Sequence, residues 1–156
     1  MRERTRVLAP TLKLERSLGW PTTLKEIEGI GEAYAPKLQA VNVKTVAELL
    51  ERGKSPKGRK ELAETTGISE KLILKWVNMA DLFRVKGIGP EYSELLEKAG
   101  VDTVKELRHR VPAHLHAKME EVNASTGKPL VRALPTLKAI ESWVEAAKHL
   151  EPVMTY

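Results

Sequence analysis

The side chains of this 156-residue chain with the most capacity for chemistry are cations. Arg52, Lys54, Lys57, Arg59 and Lys60 form a dense run between Glu51 and Glu61. A later stretch holds Arg108, His109, Arg110, His114, His116 and Lys118. The two stretches occupy matching places in an internal repeat, so they can form two patches on one side of the molecule, as an anion-binding surface requires. The plainer reading of a charge run is a solvated face. His109, His114 and His116 are the nearest approach to a metal set, but His-x-His lacks the three- or four-residue step of helical zinc sites and has no carboxylate or thiol beside it. No metal, cofactor or prosthetic group is therefore expected. No nucleophile elbow, no phosphate loop ending in Gly-Lys-Ser/Thr and no paired carboxylates occur, so no catalytic residue is assigned.

The repeat that relates the two clusters has a spacing of 58 residues. Ile27-Glu28-Gly29-Ile30-Gly31-Glu32-Ala33-Tyr34 continues to Leu38, Val43, Thr45 and Glu48. Val85-Lys86-Gly87-Ile88-Gly89-Pro90-Glu91-Tyr92 continues to Leu96, Val101, Thr103 and Glu106. Self-similarity at a fixed spacing means that one structural unit was used twice.

The net charge of +5 is unevenly placed: residues 1–25 hold six basic and two acidic residues, and the rest holds 20 and 19. The basic surplus belongs to the leading segment, and the nearly neutral body does not resemble a generic polyanion binder. No apolar run approaches the ~20 residues needed to span a bilayer, and the opening Met-Arg-Glu-Arg-Thr-Arg is unlike a signal peptide. With no cysteine to form a disulfide, the expectation is a cytoplasmic protein without a membrane partner.

The elements that must position these residues all read as helical. Residues 1–22 read as a basic arm interrupted by Pro10 and Pro21, with Leu12, Leu14, Leu18 and Trp20 expected to dock on the body. Thr23 and Glu26 predict a capping box before a short helix ending at Gly29. Gly29-Ile30-Gly31 then reverses the chain, and Pro36 is expected near the first turn of the next helix. Asn42 and Gly100 share one repeat position, and both residue types tolerate the left-handed conformation that closes a helix. Thr45 with Glu48 and Thr103 with Glu106 predict two more capping boxes. Ser55-Pro56 opens a helix that stops before Gly67. A helix from Ser69 carries Leu72, Ile73, Trp76, Val77 and Ala80 on one face and is expected to run to Gly87, joining the repeats. Pro112 opens a helix that fades near Asn123. A link to Pro135 follows, and a helix from Thr136 to Leu150 carries Ile140, Trp143, Val144 and Ala147. Trp143 follows Trp76 by 67 residues, so this link adds nine to the repeat spacing. Both tryptophans are expected as core anchors, and Tyr34 and Tyr92 as packed rings with surface hydroxyls. The predicted organisation is an arm (1–22), a first repeat (23–86), a second repeat (87–150) that shares the 69–86 helix, and a tail (151–156).

The apolar-x-Gly-Ile-Gly segments, each between helices, resemble the helix-hairpin-helix family. Gly-Ile-Gly-x-x-Tyr, the run Ala99 to Leu107 and Val131-Arg132-Ala133-Leu134-Pro135 leading to Trp143 and Ala147 resemble a small family catalogued as a domain of unknown function. The resemblance covers about residues 24–150 and implies an all-α fold: a compact tandem helix-hairpin-helix repeat of about nine or ten short helices. In nucleic-acid-binding members of the wider family, hairpin glycines let the backbone approach a phosphate, and amides at the start of the second helix donate to it. Carried over, the phosphate positions are Gly29, Ile30, Gly31, Gly87, Ile88 and Gly89, with Lys86 adding charge. Binding members often place Lys or Arg two residues past the second glycine, where this chain has Ala33 and Glu91.

The expected function is non-catalytic, sequence-nonspecific nucleic-acid binding, to DNA before RNA. The hairpins and the cations Lys54, Lys57, Arg59, Lys60, Arg108 and Arg110 would carry it. The alternative is a helical protein-interaction module, favoured by Glu32 and Glu91.

Overall fold

A computed structural model describes residues 23–125 and 127–156. The expected arm, with Leu12, Leu14, Leu18 and Trp20 docked on the body, lies outside the described residues. Among those described, one 3-10 turn (Leu24–Glu26) precedes eight α-helices: α1 (Gly31–Gln39), α2 (Val46–Gly53), α3 (Pro56–Thr66), α4 (Glu70–Leu82), α5 (Pro90–Lys98), α6 (Val104–Leu107), α7 (Pro112–Ser125) and α8 (Leu137–Lys148). The fold is all-α, and none of these helices is long and apolar enough to cross a membrane.

Local chemistry explains most boundaries. Thr45 accepts from the Glu48 amide at 3.1 Å, and the Glu48 carboxylate accepts from the Thr45 amide at 3.1 Å, closing a complete capping box on α2. Ser55 caps α3 ahead of Pro56, and Gly67 ends it in the left-handed region. Asn42 (φ 66°) and Gly100 (φ 96°) both take the left-handed conformation that their shared repeat position demands.

Backbone hydrogen bonds recur at the same offset of 58. Ile27 N to Leu24 O (3.0 Å) is matched by Val85 N to Leu82 O (3.0 Å). Val43 N to Leu38 O (2.9 Å) is matched by Val101 N to Leu96 O (2.8 Å).

Four expectations are corrected. Thr23 makes no cap: its hydroxyl donates to the Glu26 carboxylate at 3.2 Å, and only a single 3-10 turn follows. Pro36 is the sixth residue of α1, beyond the first turn, and removes the amide that would have bonded Glu32 O. α4 stops at Leu82, and bonds from Arg84 N to Asp81 O and from Val85 N to Leu82 O turn the chain before the second hairpin. The Thr103 box is half formed. Thr103 accepts from the Glu106 amide at 3.2 Å, but the Glu106 carboxylate pairs with Arg110 at 3.0 Å.

Two hydrophobic cores result. One gathers Leu38, Leu49, Leu62, Ile73 and Trp76; the other gathers Leu95, Leu96, Leu107, Ile140 and Trp143. They adjoin at the end of α4, where Leu82 enters the second core and Phe83 the first. Every residue from Trp76 to Phe83 is buried. A helix covered on all sides is a central element, beyond the one-faced helix that the periodicity implied. Two polar residues of this stretch have partners. The Asp81 carboxylate accepts from Arg84 and from the Val104 amide, each at 2.8 Å, tying α4 to the start of α6. The Asn78 side-chain oxygen accepts from the Tyr156 hydroxyl at 3.1 Å.

Candidate functional site

The two glycines of each hairpin do different work. Gly29 (φ 95°) and Gly87 (φ 96°) hold left-handed backbone. A Cβ on Gly29 would lie 3.3 Å from Trp76 Nε1, and one on Gly87 would lie 2.9 Å from Trp143 Nε1. Each indole also packs against the tyrosine of its own hairpin, with ring centroids 5.1 Å apart for Tyr34–Trp76 and 5.3 Å for Tyr92–Trp143. The first glycine is thus required by its left-handed backbone, and a tryptophan about 50 residues away in sequence adds a steric bar, tighter at Gly87 than at Gly29. Ile30 and Ile88 are buried and anchor the turns in the two cores.

The second glycine faces outward. Nothing lies within 4 Å of a Cβ built on Gly31 or Gly89. Gly31 still needs to be glycine for its backbone, at φ 46°. Gly89 (φ −105°, ψ −168°) is in extended backbone that any residue adopts, as the residue before Pro90 should be. α1 and α5 both begin without a side-chain cap, so their first-turn amides point out of the helix end. Pro90 removes one donor from the second set.

Charge distinguishes the hairpins. At the first, Lys25 is paired with Glu32 at 2.6 Å, and Glu28 is exposed. At the second, Lys86 and Glu91 are exposed. Burial raises the Glu94 carboxyl above its ordinary value, the Glu28 carboxylate adds to the rise, and Lys98 and Lys75 oppose it. A carboxyl with a raised folded-state pKa disfavours the folded state once it ionises, a penalty absent below the unfolded-state pKa. Glu94→Gln should therefore raise Tm at about pH 7, and the gain should vanish near pH 3. An equal gain at both pH values would show that the carboxyl charge is not the cause.

The basic clusters are largely absorbed by the fold. Arg59 was expected at the surface but is buried, donating to Gly53 O at 2.9 Å and to Thr155 O at 2.7 Å, so it fastens the tail and leaves the candidate surface. Arg52 donates to Val41 O at 3.0 Å, and Arg110, 58 residues later, donates to Gly100 O at 2.9 Å. Both stabilise carbonyls at the end of a hairpin helix, where a cation is also favoured by the helix dipole. Sequence reasoning missed this role, although one residue type at equivalent repeat positions was the available signal. Lys54 pairs with Glu51 at 3.0 Å; Lys57 and Lys60 are exposed on α3, and Arg108, which caps α6, is half-buried. Among the described residues, no group of three or more His, Asp or Glu side chains is arranged to hold a metal.

A cavity of about 330 Å³ lies beside the second hairpin, lined by Glu91 of α5 and by Lys128, Pro129, Leu130, Val131 and Arg132 of the α7–α8 connection. Asn123 organises this connection: its side-chain oxygen accepts from the Leu130 amide at 2.8 Å and the Val131 amide at 3.2 Å. The Tyr92 hydroxyl ties it to α5 through Ala133 O at 3.2 Å. The added residues of the second repeat thus lie against that repeat's own hairpin helix, a placement no local pattern announced.

Residues 28–150 match the model of a family described as a domain of unknown function (DUF4332). No curated protein and no solved structure matches the chain.

Proposed function

We propose that this chain, which belongs to the DUF4332 family, binds the sugar-phosphate backbone of nucleic acid, duplex DNA before RNA, without catalysis and without reading bases. The observation that carries this reading is Gly89. Its backbone is ordinary and the space beside it is open, so the fold gives no reason for a glycine there. A missing side chain at the mouth of a hairpin, beside outward amides and Lys86, suits close approach of a phosphate oxygen. Such contacts give affinity without sequence preference and weaken steeply with salt.

The opposing reading is a protein-docking module, and the carboxylates Glu28, Glu32 and Glu91 around the hairpins favour it. A titration of labelled duplex DNA and RNA at two salt concentrations separates the two. The nucleic-acid reading requires binding at low salt that falls with added salt; no binding, or binding indifferent to salt, transfers the function to a protein partner.

Paired glycine variants then locate the contact. Gly89→Ala should fold with unchanged Tm and bind DNA about tenfold more weakly. Gly87→Ala should lose about 1–3 kcal/mol of stability, because alanine would be strained at its positive φ and would press on Trp143. A Gly89→Ala protein that binds like the parent would remove the hairpin from the interface.

A further inference from the structure

We infer that the second repeat is the principal nucleic-acid-binding half, and that the cavity between α5 and the α7–α8 connection receives a phosphate-bearing strand with Lys128 and Arg132 as its cationic contacts. This rests on the nucleic-acid reading above and adds to it a place and an asymmetry.

Three observations converge. The first concerns the connections. In the first repeat, α3 ends at Thr66 and α4 begins at Glu70, leaving three residues between them. In the second, α7 ends at Ser125 and α8 begins at Leu137. The longer connection is held in place by Asn123 and by the Tyr92 hydroxyl, and it contributes Lys128 and Arg132 to the cavity that Glu91 also lines. The second is charge. The first hairpin has Glu28 and a Lys25–Glu32 pair, whereas Lys128 and Arg132 share the cavity wall beside the second hairpin with Glu91, and Lys86 is exposed in that hairpin. The third is exposure. Lys128, Arg132 and Glu91 are exposed, the rest of the cavity wall is Pro129, Leu130 and Val131, and Lys86 is exposed in the hairpin beside it. A site for a single small anion needs buried donors converging on one point, and this cavity does not supply them. A strand presents a phosphate every ~3.4 Å of rise, and its successive charges can meet dispersed, exposed cations. Arg132 also offers the planar fork that engages two phosphate oxygens together. Glu91 opposes the strand, so it sets a ceiling on affinity.

The test is a fluorescence-anisotropy titration of a labelled DNA duplex with the full chain at two salt concentrations, thermal melts confirming that each variant folds. Lys128→Gln with Arg132→Gln should weaken binding by about tenfold or more at low salt and reduce the salt slope by about two units, one for each phosphate that no longer meets a cation. Lys44→Gln with Lys71→Gln makes the same charge change elsewhere and should do neither. Glu91→Gln should strengthen binding. A parent chain that fails to bind DNA refutes the nucleic-acid reading itself. A parent chain that binds, with the Lys128/Arg132 variant matching it in affinity and slope, overturns this inference and leaves that reading standing. Weaker binding by Glu91→Gln also overturns it. So does displacement of the duplex by millimolar inorganic phosphate at matched ionic strength, since the cavity would then hold a free anion.

Discussion

Trp76→Ala is expected to cost about 3–5 kcal/mol, a large part of the stability of a domain this size. Trp76 is fully buried, packs on Tyr34 and fills the space that Gly29 leaves by having no side chain. Its removal opens a cavity under the first hairpin and releases the left-handed turn above it. Phenylalanine should recover more than half of the loss. The buried Trp76 Nε1 has no hydrogen-bond partner among the described residues, so exchanging indole for phenyl gives up volume and no hydrogen bond. Urea unfolding of the three proteins measures this directly. If Trp76→Phe were as unstable as Trp76→Ala, the indole nitrogen would have to be engaged, and the unpartnered assignment would be wrong.

Asp81→Ala should cost about 2–4 kcal/mol, through a different mechanism. Asp81 is 2% exposed and is the acceptor for the Val104 amide, the first of α6. Alanine would leave that amide buried without a partner and take the carboxylate away from Arg84, which would keep only Glu151 O at 2.7 Å. Asp81→Asn keeps an acceptor for Val104 and should lose roughly half as much. Because Asp81 spans the place where the two cores adjoin, Asp81→Ala should also broaden the unfolding transition as the repeats lose cooperativity. Equal stabilities for the alanine and asparagine variants would show that the Val104 bond contributes nothing.

Together these variants separate stability from recognition. Trp76, Gly87 and Asp81 hold the hairpins in place, so their substitution should move the melting transition. Gly89, Lys128 and Arg132 are exposed or border open space, so their substitution should leave it in place. A binding defect accompanied by an unchanged melt therefore reports on the interface alone.

The sequence by itself determined the features that depend on a few consecutive residues. Thr45 and Glu48 make a capping box because a hydroxyl and a carboxylate three residues apart at a helix start can reach each other's amides when nothing else claims the carboxylate. Asn42 and Gly100 end helices because a left-handed residue is needed there. The spacing of 58 was legible because both copies answer the same local requirements. Local signals misled where another group competed, near or far in sequence. Glu106 left its capping role for Arg110, four residues on, while Asp81, 23 residues earlier, accepts from the Val104 amide that opens α6. Arg59 read as one cation among several, yet it is buried because two carbonyls, one of them in the tail, converge on it. The need for glycine at the first position of each hairpin was legible in the sequence, as a reversal with left-handed backbone; only the tertiary structure added the tryptophan from a later helix that lies against it. It alone placed Lys128 and Arg132 beside Glu91. Sequence carries the conformational preference of each segment; which segments meet depends on how the apolar faces of all the helices are buried together, and the site lies where they meet.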